Sequence, residues 1–254
     1  MLKLLFSIKS FYVERRLKMR TIIWFIYFWI VLILFSPFEM WAFHLKKTST
    51  REKKEAFVFP CVNIWARSLL KLAGVKVNVE GRENIPKDEA CVFVANHQGN
   101  FDIPIMLTCL DHPNGIVAKK EIDGLPFVKG WMRLLDCVFI DRENPRKAMK
   151  TINDAIDLVK GGRSMVIFPE GTRSKGGPVK EFKGGAFRVC EKSGAPIVPV
   201  CINGTYKIME MNHNRIKPAE VSIKILPAIE TKDMDRMELK ALADAVREEI
   251  VGNL

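Results

Sequence analysis

Short apolar runs alternate with helix-length amphipathic stretches along most of this 254-residue chain. The runs Val75–Val79, Cys91–Ala95, Gly115–Ala118, Cys137–Ile140, Met165–Phe168, Ile197–Ile202 and Val221–Leu226 read as strands. Helical spacing covers Cys61–Leu72, Ile103–Leu110, Leu125–Leu135, Pro145–Val159, Ala186–Lys192 and Arg236–Val251. One helix is bounded at both ends: Asn144 can cap it, Pro145 suits its first position and Gly161-Gly162 closes it. The strands are apolar throughout rather than alternating, which is the pattern of a sheet covered on both faces. The expected class is α/β, with a mostly parallel central sheet of about seven strands flanked by helices. The segment Asn203–Pro218 is polar, lacks periodicity and predicts no element.

The first part of the chain has a different pattern. Met1–Arg20 mixes Leu, Ile, Phe and Tyr with Lys3, Lys9, Arg15, Arg16, Lys18 and Arg20, as in a basic helix lying on a membrane surface. Thr21–Phe38 then runs eighteen residues without a charge. As a helix it would reach roughly 27 Å, slightly less than the ~30 Å hydrocarbon core. Ser36-Pro37 interrupts its end, and a second basic run, Lys46 to Lys54, follows. With basic flanks on both sides the charge rule gives no clean crossing. A segment that dips into one leaflet, with both ends on the cytoplasmic side, is therefore favoured over a full span. A signal peptide fits less well, because Phe38-Glu39-Met40-Trp41 offers no small-residue cleavage site. The chain divides accordingly into a membrane-anchoring segment, 1–57, and an α/β domain, 58–254.

Charge supports that division. The net charge of +11 calls for an anionic partner: nucleic acid, membrane or substrate. Residues 1–57 carry eleven Lys and Arg against four Asp and Glu, a net +7. The other 197 residues carry only +4 and no recognisable nucleic-acid motif, so nucleic acid is not the expected partner. Six scattered cysteines form no Cys-x-x-Cys pair and read as buried, reduced thiols, and no metal site is expected.

In parallel sheets, chemistry gathers where strands give way to loops. After Cys91–Ala95 comes Asn96-His97-Gln98-Gly99-Asn100-Phe101-Asp102. His97 and Asp102 would stand on different faces of one continuous helix, but Gly99-Asn100 lets the chain turn first. Asp102 can then hold one imidazole nitrogen and leave the other as a base, or it can simply cap the next helix. After Met165–Phe168 comes Pro169-Glu170-Gly171-Thr172-Arg173-Ser174-Lys175. Its hydroxyls, cations and turn amides suit a phosphate monoester, with Arg173 as the bidentate partner. Glu170 could orient Arg173 or accept from a substrate hydroxyl. Lys119-Lys120 and Asp141-Arg142, at two further strand ends, would add positive charge to the same pocket, or are only solvated pairs.

These residues resemble the glycerolipid acyltransferases, most closely the bacterial lysophosphatidate acyltransferases, over roughly Val58–Leu226. His97 and Asp102 match the family's His-x4-Asp pair. Phe139–Arg142, Phe168–Ser174 and Val198-Pro199-Val200 match three further blocks in order, and Gly81–Pro86 resembles the opening of the domain. The family often has Ser where Gly99 stands. The resemblance implies a membrane enzyme on the cytoplasmic face and an acyl-CoA or acyl carrier protein donor. It implies no metal and no cofactor in the chemical step. The expected acceptor is 1-acyl-glycerol-3-phosphate (lysophosphatidic acid), and the expected product is phosphatidic acid. His97 and Asp102 would be catalytic. Arg173, Lys119, Gly171, Thr172, Glu170, Lys120 and Arg142 would form the phosphate site. No Ser or Cys stands beside His97 as a nucleophile, so transfer is expected to be direct. Another lysolipid or glycerol-3-phosphate as acceptor is the nearest alternative. A membrane-anchored lipid-binding module without catalysis is the alternative from a different class.

Overall fold

A computed structural model describes residues 2–110, 114–232, 234 and 236–254, with side chains from Glu14 onward except Arg236. Of the basic block Met1–Arg20, the side chains before Glu14 therefore lie outside the described residues. The strands are β1 (Lys76–Glu80), β2 (Val92–Ala95), β3 (Gly115–Lys119), β4 (Val138–Ile140), β5 (Met165–Ile167), β6 (Ile197–Asn203) and β7 (Glu220–Ile225). All seven fall on the runs that the sequence predicts. They form one sheet in the order β1-β7-β6-β2-β5-β3-β4. Every pairing is parallel except β6 with β7.

The helices are α1 (Leu2–Leu34), α2 (Ser36–Thr48), α3 (Arg51–Ala73), α4 (Asp102–Cys109), α5 (Val128–Leu134), α6 (Pro145–Lys160), α7 (Gly184–Ser193) and α8 (Arg236–Gly252). Successive strand residues point to opposite faces, and both faces are covered. Phe93, Ala95, Val198 and Val200 join the core under α1 to α5. Val92, Val94, Ile197 and Cys201 join the core under α6 to α8. The fold is thus three layers with β2 at the centre, its four residues all buried. Asn144 caps α6 as the sequence predicts, its Oδ1 accepting from Lys147 N at 3.1 Å.

Helix α3 begins ten residues earlier than the predicted Cys61. Charged residues and an internal Pro60 hide its first half. Thr50 caps it, and the buried positions Lys54, Val58, Val62, Ala66, Leu69, Leu70 and Ala73 make one continuous stripe. The division after Phe57 falls inside this helix. Lys54 tolerates burial because it joins an ionic cluster, 3.0 Å from Asp136 Oδ2. The fully buried Arg163 stands 2.5 Å from both Asp136 and Glu55. Burial pushes the Asp136 carboxyl up, but the Lys54 hydrogen bond and the Arg163 and Lys54 charges prevail and hold it below the usual range.

Helix α1 packs on this body along a four-residue spacing. Trp24, Tyr27, Phe28 and Leu32 face inward, while Ile22, Ile23, Ile26, Ile30 and Ile33 are exposed. Trp24 Nε1 donates to Leu69 O at 2.9 Å, and its ring lies 5.4 Å from that of Phe101. The break at Ser36-Pro37 is real: α2 starts there and exposes Phe38, Met40 and Trp41. Two helices, Glu14–Leu34 and Arg51–Ala73, are long and apolar enough to associate with a membrane. The first of them leaves most of its surface outside the core.

Candidate active site

Five neighbouring strands, β6, β2, β5, β3 and β4, run parallel and end on one edge of the sheet. Every site residue that the sequence singles out lies at or after one of these ends. At the end of β2 the chain turns so that residues 96 and 98 point into the protein and His97 points out. Asn96 donates to Ile202 O at 2.9 Å and accepts from Ile202 N at 2.8 Å. Gln98 Oε1 accepts from Gly204 N at 2.9 Å. Both side chains thus fasten the turn to the end of β6.

Asp102 opens α4 and is fully buried. Its Oδ2 lies 2.6 Å from His97 Nδ1 and accepts from the amides of Gln98 at 2.7 Å and Gly99 at 2.9 Å. The carboxylate therefore both closes the turn and holds one ring nitrogen. With Nδ1 committed as donor to the carboxylate, Nε2 is the basic nitrogen. The His97 ring also stacks on Phe168, with centroids 4.3 Å apart, so the imidazole is fixed from the side as well.

The loop after β5 locks onto this turn. Buried Glu170 accepts from His97 N at 2.6 Å and from Lys180 N at 3.0 Å. His97 O accepts from Ser174 N at 2.7 Å, and Gln98 O accepts from Lys175 N at 3.1 Å. Glu170 therefore does not turn to Arg173. It supports the His97 backbone, and the acidic neighbour of Arg173 is Glu210, 3.3 Å away. Arg173 Nη1 also donates to Asn100 Oδ1. Gly171 sits at φ +69°, a conformation that glycine adopts without strain.

Of the flanking cations, Arg142 donates to Gly171 O and so touches the loop directly. Lys119 pairs with Glu121 at 3.0 Å, and Lys120 pairs with Asp141 at 3.0 Å and Glu143 at 3.4 Å. Both lysines are partly neutralised by acids close in sequence or just after the adjoining strand. Lys183, which the sequence reading missed, is nearer: its Nζ would stand 3.0 Å from a Cβ placed on Gly171. Its position in Phe182-Lys183-Gly184, just before α7, carries no local signal of that proximity.

Residues 76–203 match the acyltransferase family model, half of the chain and the whole of the edge just described. The chain belongs to the acyltransferase family. It is 33% identical over 185 residues to a 1-acyl-sn-glycerol-3-phosphate acyltransferase of Borreliella burgdorferi, covering 73% of this chain and 74% of that one. The Escherichia coli (strain K12) protein of the same name is 33% identical over 176 residues, 69% of this chain and 71% of its own. The crystal structure of the 1-acyl-sn-glycerophosphate (LPA) acyltransferase PlsC from Thermotoga maritima superposes with a TM-score of 0.80 at 28% identity. It covers 95% of this chain and 98% of that one. The chain is thus an acyl-transferring enzyme, and its sheet and N-terminal helices are those of a solved relative.

Near the His97 turn lies an apolar cavity walled by Leu32 and Phe35 of α1 and its end, Trp65 of α3, Ile103 of α4, and Trp131 and Met132 of α5. Ile103 follows Asp102 directly in α4, so the cavity wall begins one residue after the carboxylate that holds the imidazole. Val198-Pro199-Val200, the block expected near an acyl pocket, lies in β6 and does not line this cavity. Four of the six cysteines are poor nucleophiles. Burial pushes the Cys91, Cys137 and Cys201 thiols up to about 12, and Cys190 higher still. Among the described residues, no group of three or more His, Cys, Asp or Glu side chains is placed to hold a metal ion.

Proposed function

We propose that the chain moves a fatty acyl group from an acyl thioester of coenzyme A or acyl carrier protein to the sn-2 hydroxyl of 1-acyl-glycerol-3-phosphate, giving phosphatidic acid. The observation that carries the reading is the His97–Asp102 pair, 2.6 Å apart, at the end of the central strand. His97 Nε2 takes the proton of the acceptor hydroxyl as that oxygen attacks the thioester carbonyl. The tetrahedral intermediate collapses, the C–S bond breaks, and the imidazolium returns the proton to the departing thiolate. Buried Asp102 stabilises the imidazolium while it lasts. General-base help of this kind is typically worth ~10²–10⁴ in rate. The step uses protein groups and the two substrates alone.

Arg173 holds the phosphate and so places the hydroxyl at His97. The Gly171 and Thr172 amides, Arg142 and Lys183 complete the anion site, with Lys119 and Lys120 as its outer charges. Glu170 acts on the backbone of His97. The apolar cavity takes the start of an acyl chain. Residues 1–57 attach the enzyme to the cytoplasmic face of the cell membrane, and 58–254 carry the chemistry. Because Trp24, Phe28 and Leu32 are committed to the protein, α1 offers lipid only one side, which suits insertion into one leaflet.

The test uses the full chain in detergent, with acyl-CoA and acyl carrier protein donors and a panel of lysolipid and glycerol-3-phosphate acceptors. Thioester should be consumed fastest with 1-acyl-glycerol-3-phosphate, and His97→Ala should abolish turnover while vesicle binding survives. Substantial turnover by His97→Ala, or a trapped acyl-enzyme, refutes the mechanism. Preference for another acceptor refutes the substrate.

A further inference from the structure

The polar segment Asn203–Pro218 brings one acidic side chain to the catalytic turn. Glu210 lies in a short helical turn, Glu210–Asn212, and its side chain is only 2% exposed. Its Oε1 accepts from Asn100 N at 2.7 Å and stands 3.3 Å from Arg173 Nη1. Asn100 Oδ1 accepts from the same guanidinium nitrogen. Turn, carboxylate and guanidinium therefore form one closed set. The other carboxylate oxygen, Oε2, is buried without a hydrogen-bond partner. Burying a carboxylate with one oxygen unsatisfied costs stability, so packing alone does not account for it.

Gly99 makes this arrangement possible. A Cβ there would stand 2.6 Å from Glu210 Oε2 and 2.9 Å from its Cδ. Any side chain at 99 must push the carboxylate aside. The departure from Ser at this position and the acid in the distant segment are thus one feature.

We propose that Glu210 is a positioning residue for Arg173, admitted by Gly99. The inference rests on the reading of Arg173 as the phosphate partner. A free arginine side chain has rotamer entropy to lose on binding. Holding Nη1 between Glu210 and Asn100 fixes the plane of the guanidinium. Nε and Nη2, which have no protein partner among the described residues, remain for phosphate oxygens. Glu210 acts through Arg173 and does not touch substrate.

The test is a set of steady-state measurements on the full chain with 1-acyl-glycerol-3-phosphate and acyl-CoA. Glu210→Ala should raise the acceptor KM on the order of ten-fold, the size expected for one charged hydrogen bond. The thioester KM should stay within about two-fold. Glu210→Gln, which retains the acceptor for Asn100 N, should fall between. Gly99→Ser should act like Glu210→Ala, because it displaces the same carboxylate. The double variant should be no worse than either single one, since both remove one interaction. In an Arg173→Ala background, Glu210→Ala should change the acceptor KM no further.

Equal rises in both KM values overturn the proposal, as does a double variant whose effect is the product of the singles. If Glu210→Ala is too unstable to assay, Glu210→Gln and Gly99→Ser decide by the same split. If Arg173→Ala raises the acceptor KM but the Glu210 variants do not, the positioning role alone fails. If Arg173→Ala leaves the acceptor KM unchanged, the phosphate assignment fails and the inference falls with it.

Discussion

Asp102→Asn isolates the charge of the carboxylate that holds His97 from its shape. Oδ2 of Asp102 receives three hydrogen bonds within 2.9 Å, two of them from the backbone of the turn. An asparagine oxygen can still accept from the Gln98 and Gly99 amides, so the turn should persist. Asp102→Ala would instead strand both amides at ~1–3 kcal/mol each, mixing folding with catalysis. What Asn loses is the negative charge facing the imidazolium. A hydrogen bond to a charged partner is worth about 1.5–3 kcal/mol against about 1 for a neutral one. The same oxygen still faces Nδ1, so the change removes charge without turning the ring, and in a Ser-His-Asp triad the same Asp→Asn exchange costs about 10⁴ in kcat. The expected fall in kcat is therefore ~10²–10⁴. Both KM values should hold within a few-fold, because the fully buried side chain cannot reach substrate. Thioester release followed at saturating acceptor and donor measures kcat, and circular dichroism checks the fold. A correctly folded Asp102→Asn enzyme within ten-fold of the parent kcat would falsify the general-base reading.

Three further outcomes follow from other parts of the molecule. Arg163→Ala removes the buried cation that stands 2.5 Å from Glu55 and from Asp136, leaving them Arg51 and Lys54, and should cost ~1–3 kcal/mol in a denaturant titration; no measurable loss contradicts the burial argument. Asp136 is held below its ordinary pKa of about 3.9, so its contribution to stability is present above about pH 4. That contribution should be lost as pH falls through the lower folded value, and Asp136→Asn should remove that part of the acid slope in Tm. Ile26→Asp with Ile30→Asp places charge on the exposed side of α1, opposite Trp24 and Phe28. Sedimentation with anionic vesicles should fall sharply while turnover on detergent-dispersed substrate persists; unchanged sedimentation argues against lipid contact by this face.

The sheet was legible because the inner strands are short apolar runs buried on both faces, while the outer β1 and β7 alternate apolar and polar positions. The ends of those runs pointed to the active edge, since a parallel sheet puts the chemistry past its carboxyl ends. His97, Asp102 and Arg173 could be picked out for that reason, and the structure brings all three to one turn. The supports were hidden because their partners are remote. Glu170 bonds to the backbone of a residue 73 positions away, and Glu210 to one 110 away. No local spacing encodes such contacts. Helix α3 shows the opposite failure: charged residues and Pro60 mask a start that tertiary packing enforces, with Lys54 buried by virtue of Asp136.

The same remoteness explains why the flanking cations differ in kind. Lys119 and Lys120 look like pocket charges in sequence, but Glu121 two residues on, and Asp141 and Glu143 just after the adjoining strand, already pair with them. Arg142 and Lys183 approach Gly171 from separate segments, β4 and the start of α7. A phosphate arriving at Gly171 meets these two before it meets the paired lysines. Ionic partners raise the cost of recruiting a cation to a new anion, because the old pair must break first. The anion site should therefore depend more on Arg142 and Lys183 than on Lys119 or Lys120, an order set by the acids that already hold the two lysines.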